Sequence, residues 1–185
     1  LHDQQLDPQD WYPSYIQMYL ERDVRLLKQL HDLLTFQRFV KLCAGRTAGL
    51  LNLSALASDC GITHNTAKAW VSVLEASYLV FQLPPHHQNF RKRLVKMPKL
   101  YFYDTGLACA LLGIETVTHL TTHPMRGAIF ETFVISELVK QRLHRGRLPR
   151  LSFWRDKTGR ELDGVIQVGA EAWPVEIQAG ETVTE

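Results

Sequence analysis

Apolar residues in the first third of the chain recur at the spacing of a helix. Trp11, Tyr15 and Tyr19 fall on one face, and Pro13 lies where the first turn of a helix tolerates proline. A second helix is predicted over residues 35–44, because the apolar pattern continues to a glycine at position 45. These helices carry no catalytic pattern, so we interpret them as structural.

Two short helical patterns follow, separated by a glycine. Asn52 or Ser54 can cap the first, Gly61 supplies a tight turn, and Thr63 can cap the second. The second pattern has one apolar face, formed by Ala67, Trp70, Val71 and Leu74. This order is typical of a helix-turn-helix, although an αα-hairpin packed in a larger core would show the same pattern. For this arrangement we expect Trp70 and Leu74 to be buried and Lys68 to be exposed; a buried Lys68, or the lack of a hairpin after Leu79, would contradict it.

Alternating residues after the second helix predict a wing. We expect strands over residues 78–83 and 90–95, joined by a turn over 84–89. Two strands that follow a helix-turn-helix in this way indicate a winged helix, which is a common DNA-binding arrangement.

The remainder of the chain alternates strand and helix patterns. The long helix is expected to turn Phe130 and Phe133 inward. The predicted elements are a strand at 99–103, helices at 107–112 and 126–144, and strands at 151–154, 162–168 and 173–178. The fold class is therefore α/β, more closely α+β: a helical part with a winged helix-turn-helix at 1–97, then an α/β domain at 98–185, which we expect to be truncated at its C-terminus.

Composition agrees with a globular protein that does not cross a membrane. The 185 residues are 45% hydrophobic and carry a formal net charge of +2. No apolar run approaches the roughly 18 residues of a membrane-spanning helix. The three cysteines are far apart and form no CxxC pair, which fits a reducing cytoplasm. The chain opens at Leu1 without a signal peptide, so we expect a piece of a longer cytoplasmic protein.

Charge is distributed unevenly despite the near-neutral total. Residues 91–99 include five basic side chains and no acidic one, and a second basic stretch runs over 140–150. Such strips indicate a polyanion partner, although solvated charged faces would look the same. With the winged helix, they predict DNA contacts from His64, Asn65, Lys68, Arg91, Lys92 and Arg93. Because the second helix is poor in Arg and Lys, we expect weak, salt-sensitive binding to phosphates.

Carboxylates near the C-terminus form a candidate metal site. Strand alternation puts Glu176 and Gln178 on one face, and pairing with the preceding strand would bring Asp163 towards Glu176. Glu131 lies on the side of the long helix that should face the sheet. Oxygens that converge in this way can bind Mg²⁺, which could activate a water for attack on a phosphodiester.

A simpler interpretation of the same carboxylates remains open. Glu161 and Asp163 share one face of their strand, and Arg155 and Arg160 are available as partners. These side chains would then form an ordinary polar sheet face with ion pairs.

Short motifs spread over nearly the whole chain form a set of landmarks, of which the stretch over residues 99–107 is the most specific. The landmarks are Tyr19-Leu20-Glu21-Arg22-Asp23-Val24, Leu56-Ala57, Gly61-Ile62, Leu74-Glu75, Pro98-Lys99-Leu100-Tyr101-Phe102-Tyr103-Asp104-Thr105-Gly106-Leu107, Gly127, Glu131, Phe133-Val134, Glu137-Leu138, Phe153-Trp154-Arg155, Glu161-Leu162-Asp163 and Pro174-Val175-Glu176-Ile177. With these landmarks the sequence resembles the C-terminal module of bacterial and archaeal AAA-type P-loop ATPases of mostly unassigned function.

This resemblance implies an upstream P-loop ATPase domain, a winged helix and a C-terminal fold similar to PD-(D/E)XK nucleases. In those enzymes a helix Glu, a strand Asp and a Glu-x-Lys share one metal site, and Glu131, Asp163 and Glu176 would fill the first three places. Gln178 stands where Lys is expected, which weakens the case for cleavage because a neutral amide stabilises developing negative charge less well. No G-x-x-x-x-G-K-[ST] motif occurs, so no ATP site is expected in this chain.

Three functions follow, in order of preference. The first is a nucleic-acid-binding regulatory module of an ATPase, with a nuclease-like site that binds Mg²⁺ weakly and cleaves little or nothing. The second is a protein-interaction lid on the ATPase without DNA binding. The third is an active Mg²⁺-dependent nuclease that uses Glu131, Asp163 and Glu176.

Overall fold

The computed structural model describes residues 6–22, 33–86, 96–156 and 158–180, and it confirms a mixed α+β fold. The described part of the chain begins with four helices, and two small antiparallel sheets and three further helices follow. The elements in chain order are α1 Pro8–Arg22, α2 Leu33–Ala44, α3 Leu53–Cys60, α4 His64–Ala76, β1 Val80–Leu83, β2 Lys99–Phe102, α5 Thr105–Leu111, α6 Val117–Thr122, α7 Arg126–Leu143, β3 Leu151–Arg155, β4 Glu161–Val168 and β5 Glu171–Val175.

Helices α3 and α4 form the predicted helix–turn–helix segment. The Asn52 side chain accepts a hydrogen bond from the Ala55 N–H and so caps α3. Gly61 then adopts the left-handed conformation (φ 69°), which glycine adopts with little strain. Leu74 of α4 is fully buried, as predicted, but Trp70 is only half-buried, so the prediction of a buried Trp70 is wrong. The large indole leaves part of its surface in solvent while its rings meet the core edge-on.

The cap of α4 gives a testable stability effect. The Thr63 Oγ1 accepts a hydrogen bond of 3.1 Å from the Thr66 N–H. We expect Thr63→Ala to lower the free energy of unfolding by about 1 kcal/mol, because it leaves that N–H without its partner. Thr63→Ser keeps the acceptor oxygen and should cost much less. Urea denaturation of both variants measures the difference, and equal losses would contradict a capping role.

Strand β1 pairs with a strand other than the one predicted. It runs antiparallel to β2, with Val80 opposite Phe102 and Leu83 opposite Lys99. The expected return strand at 90–95 lies outside the described residues. Strand β2 is buried along its whole length, as is typical of a strand with both faces covered. The pairing also connects the two parts predicted as 1–97 and 98–185.

The β1–β2 pair separates two hydrophobic cores. Val80, Leu100 and Phe102 pack among the helices, while Phe81 and Tyr101 face α7 and the second sheet. This alternation follows from the period of two along a strand, with both faces buried. Lys99 lies two residues before Tyr101 in β2, so both side chains point to the same face of the strand. That face is covered by α7 and the second sheet.

Helix α7 packs through one face against β2 and the second sheet. Ile135 and Val139 are buried against the sheet, and Ile129 contacts the helical core. Phe130 and Phe133 are 41% and 49% exposed, so the prediction that they point inward is wrong. The helix buries a narrower face than its apolar composition suggests. No helix among the described residues has the length and apolar character to span a membrane.

The second sheet is the predicted three-stranded meander, with the order β3-β4-β5 and antiparallel pairing throughout. Strand β5 ends at Val175, opposite Gly164, rather than at position 178. Glu176 and Gln178 therefore lie beyond the strand, where the alternation used to place them on one face no longer holds.

Candidate functional site

A buried lysine lies at the centre of the predicted carboxylate site. Lys99 is 2% exposed. Its Nζ is 2.8 Å from Oε1 of Glu131, forms an ion pair with Glu161, and lies 3.8 Å from Oδ1 of Asp163. These four residues, which we call the Lys99 cluster, come from β2, α7 and β4. The cluster therefore ties the β1–β2 pair to α7 and the second sheet.

Each carboxylate of the Lys99 cluster has a further hydrogen-bond donor. The Tyr101 hydroxyl donates to Oε1 of Glu131 at 2.5 Å, and Nη1 of Arg155 donates to Oε2 of Glu161 at 3.0 Å. The backbone N–H of Ile177 donates to Oδ2 of Asp163 at 2.9 Å. The centre is thus a satisfied polar network, which is the condition for holding charge inside a protein.

Burial and neighbouring charges shift the pKa values of the cluster in a consistent way. Burial acts most strongly on Lys99 and would lower its pKa, but the hydrogen bonds and charges of Glu131 and Glu161 together raise it above 10.5. Burial raises the pKa of Glu131 above 4.5, although Lys99 and Tyr101 oppose the shift. Burial, followed by the charge of Glu131, raises the pKa of the Tyr101 hydroxyl. Lys99 is therefore an ammonium at neutral pH.

The structure brings some of the predicted site residues together and not others. Glu131 and Asp163 meet around Lys99. Glu176 is exposed at the edge, where burial and the charges of Asp163 and Glu161 raise its pKa above 4.5. Gln178 lines a separate cavity of about 390 Å³ with Phe130 and Phe133 of α7, and within the described chain it has no hydrogen bond to the cluster. The expected grouping of Glu176 with Gln178 depended on a strand that ends earlier.

Sequence reasoning did not identify Lys99 as a site residue. It appeared as one of several basic residues in the 91–99 stretch and as the first residue of the 99–107 landmark, without a role in the site. The signal was its position at the start of a strand buried on both faces, because lysine is almost never fully buried without a charged partner. A lysine in that position predicts carboxylates on the facing elements.

The Lys99 cluster does not fit Mg²⁺ as it is arranged. Mg²⁺ requires close oxygen ligands in near-octahedral geometry and usually keeps several waters. The central oxygens of Glu131 and Glu161 already face an ammonium, and a dication added beside it would be repelled.

The polar face of α4 is the second candidate site. His64, Asn65 and Lys68 are exposed near the beginning of the helix, whereas Ala67 and Val71 are buried. The other predicted contacts, Arg91, Lys92 and Arg93, lie outside the described residues. The exposed face can offer hydrogen bonds and one lysine charge to a partner.

Two models of domains of unknown function match this chain. Residues 1–118 match the model of the domain DUF8612, and residues 126–185 match that of DUF4143. Uncharacterized proteins of Mycobacterium bovis and Mycobacterium tuberculosis are each 30% identical over 176 residues, which is 95% of this chain and 39% of each relative. The chain thus spans about two fifths of these relatives. No solved structure matches it.

Proposed function

The chain belongs to the DUF8612 family of domains of unknown function, and from its own geometry we propose that it is a DNA-binding regulatory module. Helix α4 would act as the recognition helix of a helix-turn-helix, with α3 crossing the phosphate backbone. The observation that carries this proposal is the exposed polar face at the beginning of α4. Recognition helices use their N-terminal residues to contact DNA.

The packing of α4 supports this role. Val71 and Leu74 anchor the helix in the helical core, and Phe36 and Phe39 meet the Trp70 ring edge-on at 5.1 and 5.2 Å. The face that bears Lys68 is thereby held towards solvent on a rigid base. A rigid base suits contacts that must keep a constant position relative to the DNA backbone.

The charge of α4 indicates contacts to phosphates. Lys68 is the only Lys or Arg in the helix. We propose that Arg91, Lys92 and Arg93 add contacts from the segment between β1 and β2. Binding of this kind depends little on base sequence and falls steeply with salt.

The wider context is part of the same proposal. The resemblance to C-terminal modules of AAA-type ATPases supports an upstream P-loop domain in a longer cytoplasmic protein. The module would then couple DNA binding to that ATPase. We do not assign cleavage to the carboxylates, because the arrangement around Lys99 does not fit the metal that cleavage would use.

A salt-titrated binding assay tests DNA recognition. We expect the chain to bind a labelled duplex at low salt, and Lys68→Ala to reduce the slope of log affinity against log salt by about 0.9, the value for one phosphate that is no longer neutralised. Fluorescence anisotropy between about 50 and 200 mM salt measures that slope. Changing Arg91, Lys92 and Arg93 to Ala should lower the slope by about 0.9 for each of these side chains that neutralises a phosphate.

Arg160→Ala is the matched control for this assay. Arg160 is an exposed cation in the turn between β3 and β4, so its loss changes the net charge as Lys68→Ala does. Equal slopes for the two variants would contradict a specific role of α4. Absence of binding at low salt would favour the interaction-lid alternative.

A further inference from the structure

The carboxylates of the Lys99 cluster surround a positive charge that belongs to the chain itself. Glu131 approaches it from α7, while Glu161 and Asp163 approach it from β4. The Phe153 ring lies beneath, 5.6 Å from Nζ to the ring centre. An ammonium therefore occupies the point on which these oxygens converge, rather than a position beside it.

We propose that the Lys99 ammonium is the resident cation of this centre and stands where a nuclease-like fold would hold a divalent metal. The centre is then a metal-independent junction that joins β2, α7 and β4. This assignment concerns the carboxylates alone and stands whether or not α4 binds DNA.

The hydrogen bonds around the cluster fit an internal cation. Lys99 has three donor hydrogens, and three carboxylates lie within 3.8 Å of it. Tyr101 donates to the same oxygen of Glu131 as Lys99 does, while Arg155 and the Ile177 N–H donate to the second oxygens of Glu161 and Asp163. A divalent metal would have to displace the ammonium from these oxygens while the buried lysine stem stayed nearby.

The position of Lys99 also differs from that of a lysine that assists a metal. Such a lysine lies beside metal and substrate, where it can stabilise developing charge. Lys99 instead begins a fully buried strand and contacts the carboxylates directly, so it replaces the metal. Gln178, at the position where the Glu-x-Lys pattern would put its lysine, lies in another cavity.

Metal titration of Lys99 variants tests this assignment. We expect the natural chain and Lys99→Arg to show no saturable binding of Mn²⁺ by isothermal titration or by electron paramagnetic resonance. Lys99→Met frees the carboxylate oxygens, so this variant should bind one Mn²⁺ at least about tenfold more tightly than the natural chain does. Adding Glu161→Gln to Lys99→Met should abolish the gain. Saturable Mn²⁺ binding by the natural chain that Lys99→Met weakens, with or without DNA cleavage, would overturn the proposal and make Lys99 part of a metal site.

A measurement on the natural chain covers the case in which Lys99→Met fails to fold. The melting temperature of the natural chain should be the same in Mg²⁺ as in NaCl of matched ionic strength. The Lys99 Nζ resonance in ¹⁵N nuclear magnetic resonance should remain that of an ammonium and should not shift as Mg²⁺ is added. A rise in melting temperature with Mg²⁺ that Glu131→Gln removes would overturn the assignment.

Discussion

Replacement of Lys99 with Met is expected to lower the free energy of unfolding by about 3–5 kcal/mol at neutral pH, the usual effect of removing one partner from a buried ion pair. The variant leaves Glu131, Glu161 and Asp163 close together without their shared cation. Tyr101 and Arg155 cannot compensate, because each already donates to one of these carboxylates. Methionine preserves most of the volume, so the loss reports charge rather than a cavity.

The effect should depend on pH in a defined direction. The folded-state pKa of Glu131 already lies above its ordinary 4.5, so the folded state binds that proton more readily than the unfolded chain does. Without Lys99 this pKa should rise further. The stability deficit of Lys99→Met should therefore shrink as the pH falls through the raised pKa. The natural chain should lose the contribution of Lys99 only as the pH rises above 10.5, because its pKa is raised from that value.

Urea denaturation followed by tryptophan fluorescence across this pH range measures both effects. Lys96→Met is the matched control, since Lys96 is an exposed lysine three residues earlier and its loss should change stability by less than about 0.5 kcal/mol. If Lys99→Met unfolded at the same urea concentration as Lys96→Met at neutral pH, the cluster would not stabilise the fold as we describe.

Replacement of Phe39 with Ala is expected to cost about 3–5 kcal/mol, the range for deleting a buried aromatic side chain. Phe39 is fully buried in α2 and contacts the Trp70 ring of α4 edge-on. The deletion removes apolar packing and leaves a cavity between the two helices. We therefore expect weaker packing in the core and a less fixed orientation of α4 relative to α2.

Lys41→Ala controls for the change in α2, because Lys41 is exposed two residues later in the same helix. Urea denaturation gives the stability difference, and near-ultraviolet circular dichroism reports the packing of Trp70. A loss below about 1 kcal/mol for Phe39→Ala would show that α2 does not anchor α4.

Local features were predictable from sequence because they depend on neighbours a few residues away. The caps Asn52 and Thr63 and the turn at Gly61 occur where the pattern predicts them. The helices α2 and α7 and the three-stranded meander are also present, with ends within a few residues of those predicted. Capping hydrogen bonds and side-chain periodicity act over one or two turns, so they appear directly in the residue order.

Long-range pairing was less predictable. The strand–turn–strand pattern predicted 90–95, which lies outside the described residues, as the partner of β1, whereas the pairing of β1 with the more distant β2 was not predicted. Strand β5 was expected to reach position 178 but ends at Val175. Phe130 and Phe133 were assigned to the core as apolar positions of α7, whereas packing buries a face that excludes them. Each outcome depends on which surface another element covers, and periodicity carries no information about that.

By itself, the sequence determined the helix-turn-helix layout and the facing of Glu131 towards the sheet, since both follow from spacing within one segment, and the α+β class, which follows from the order of helix and strand patterns along the chain. The tertiary structure alone decided that Lys99 lies among Glu131, Glu161 and Asp163, which are separated from it by 32 to 64 positions along the chain. A buried ammonium is stable only where several oxygens converge on it. That convergence exists only after β2, α7 and β4 have packed together.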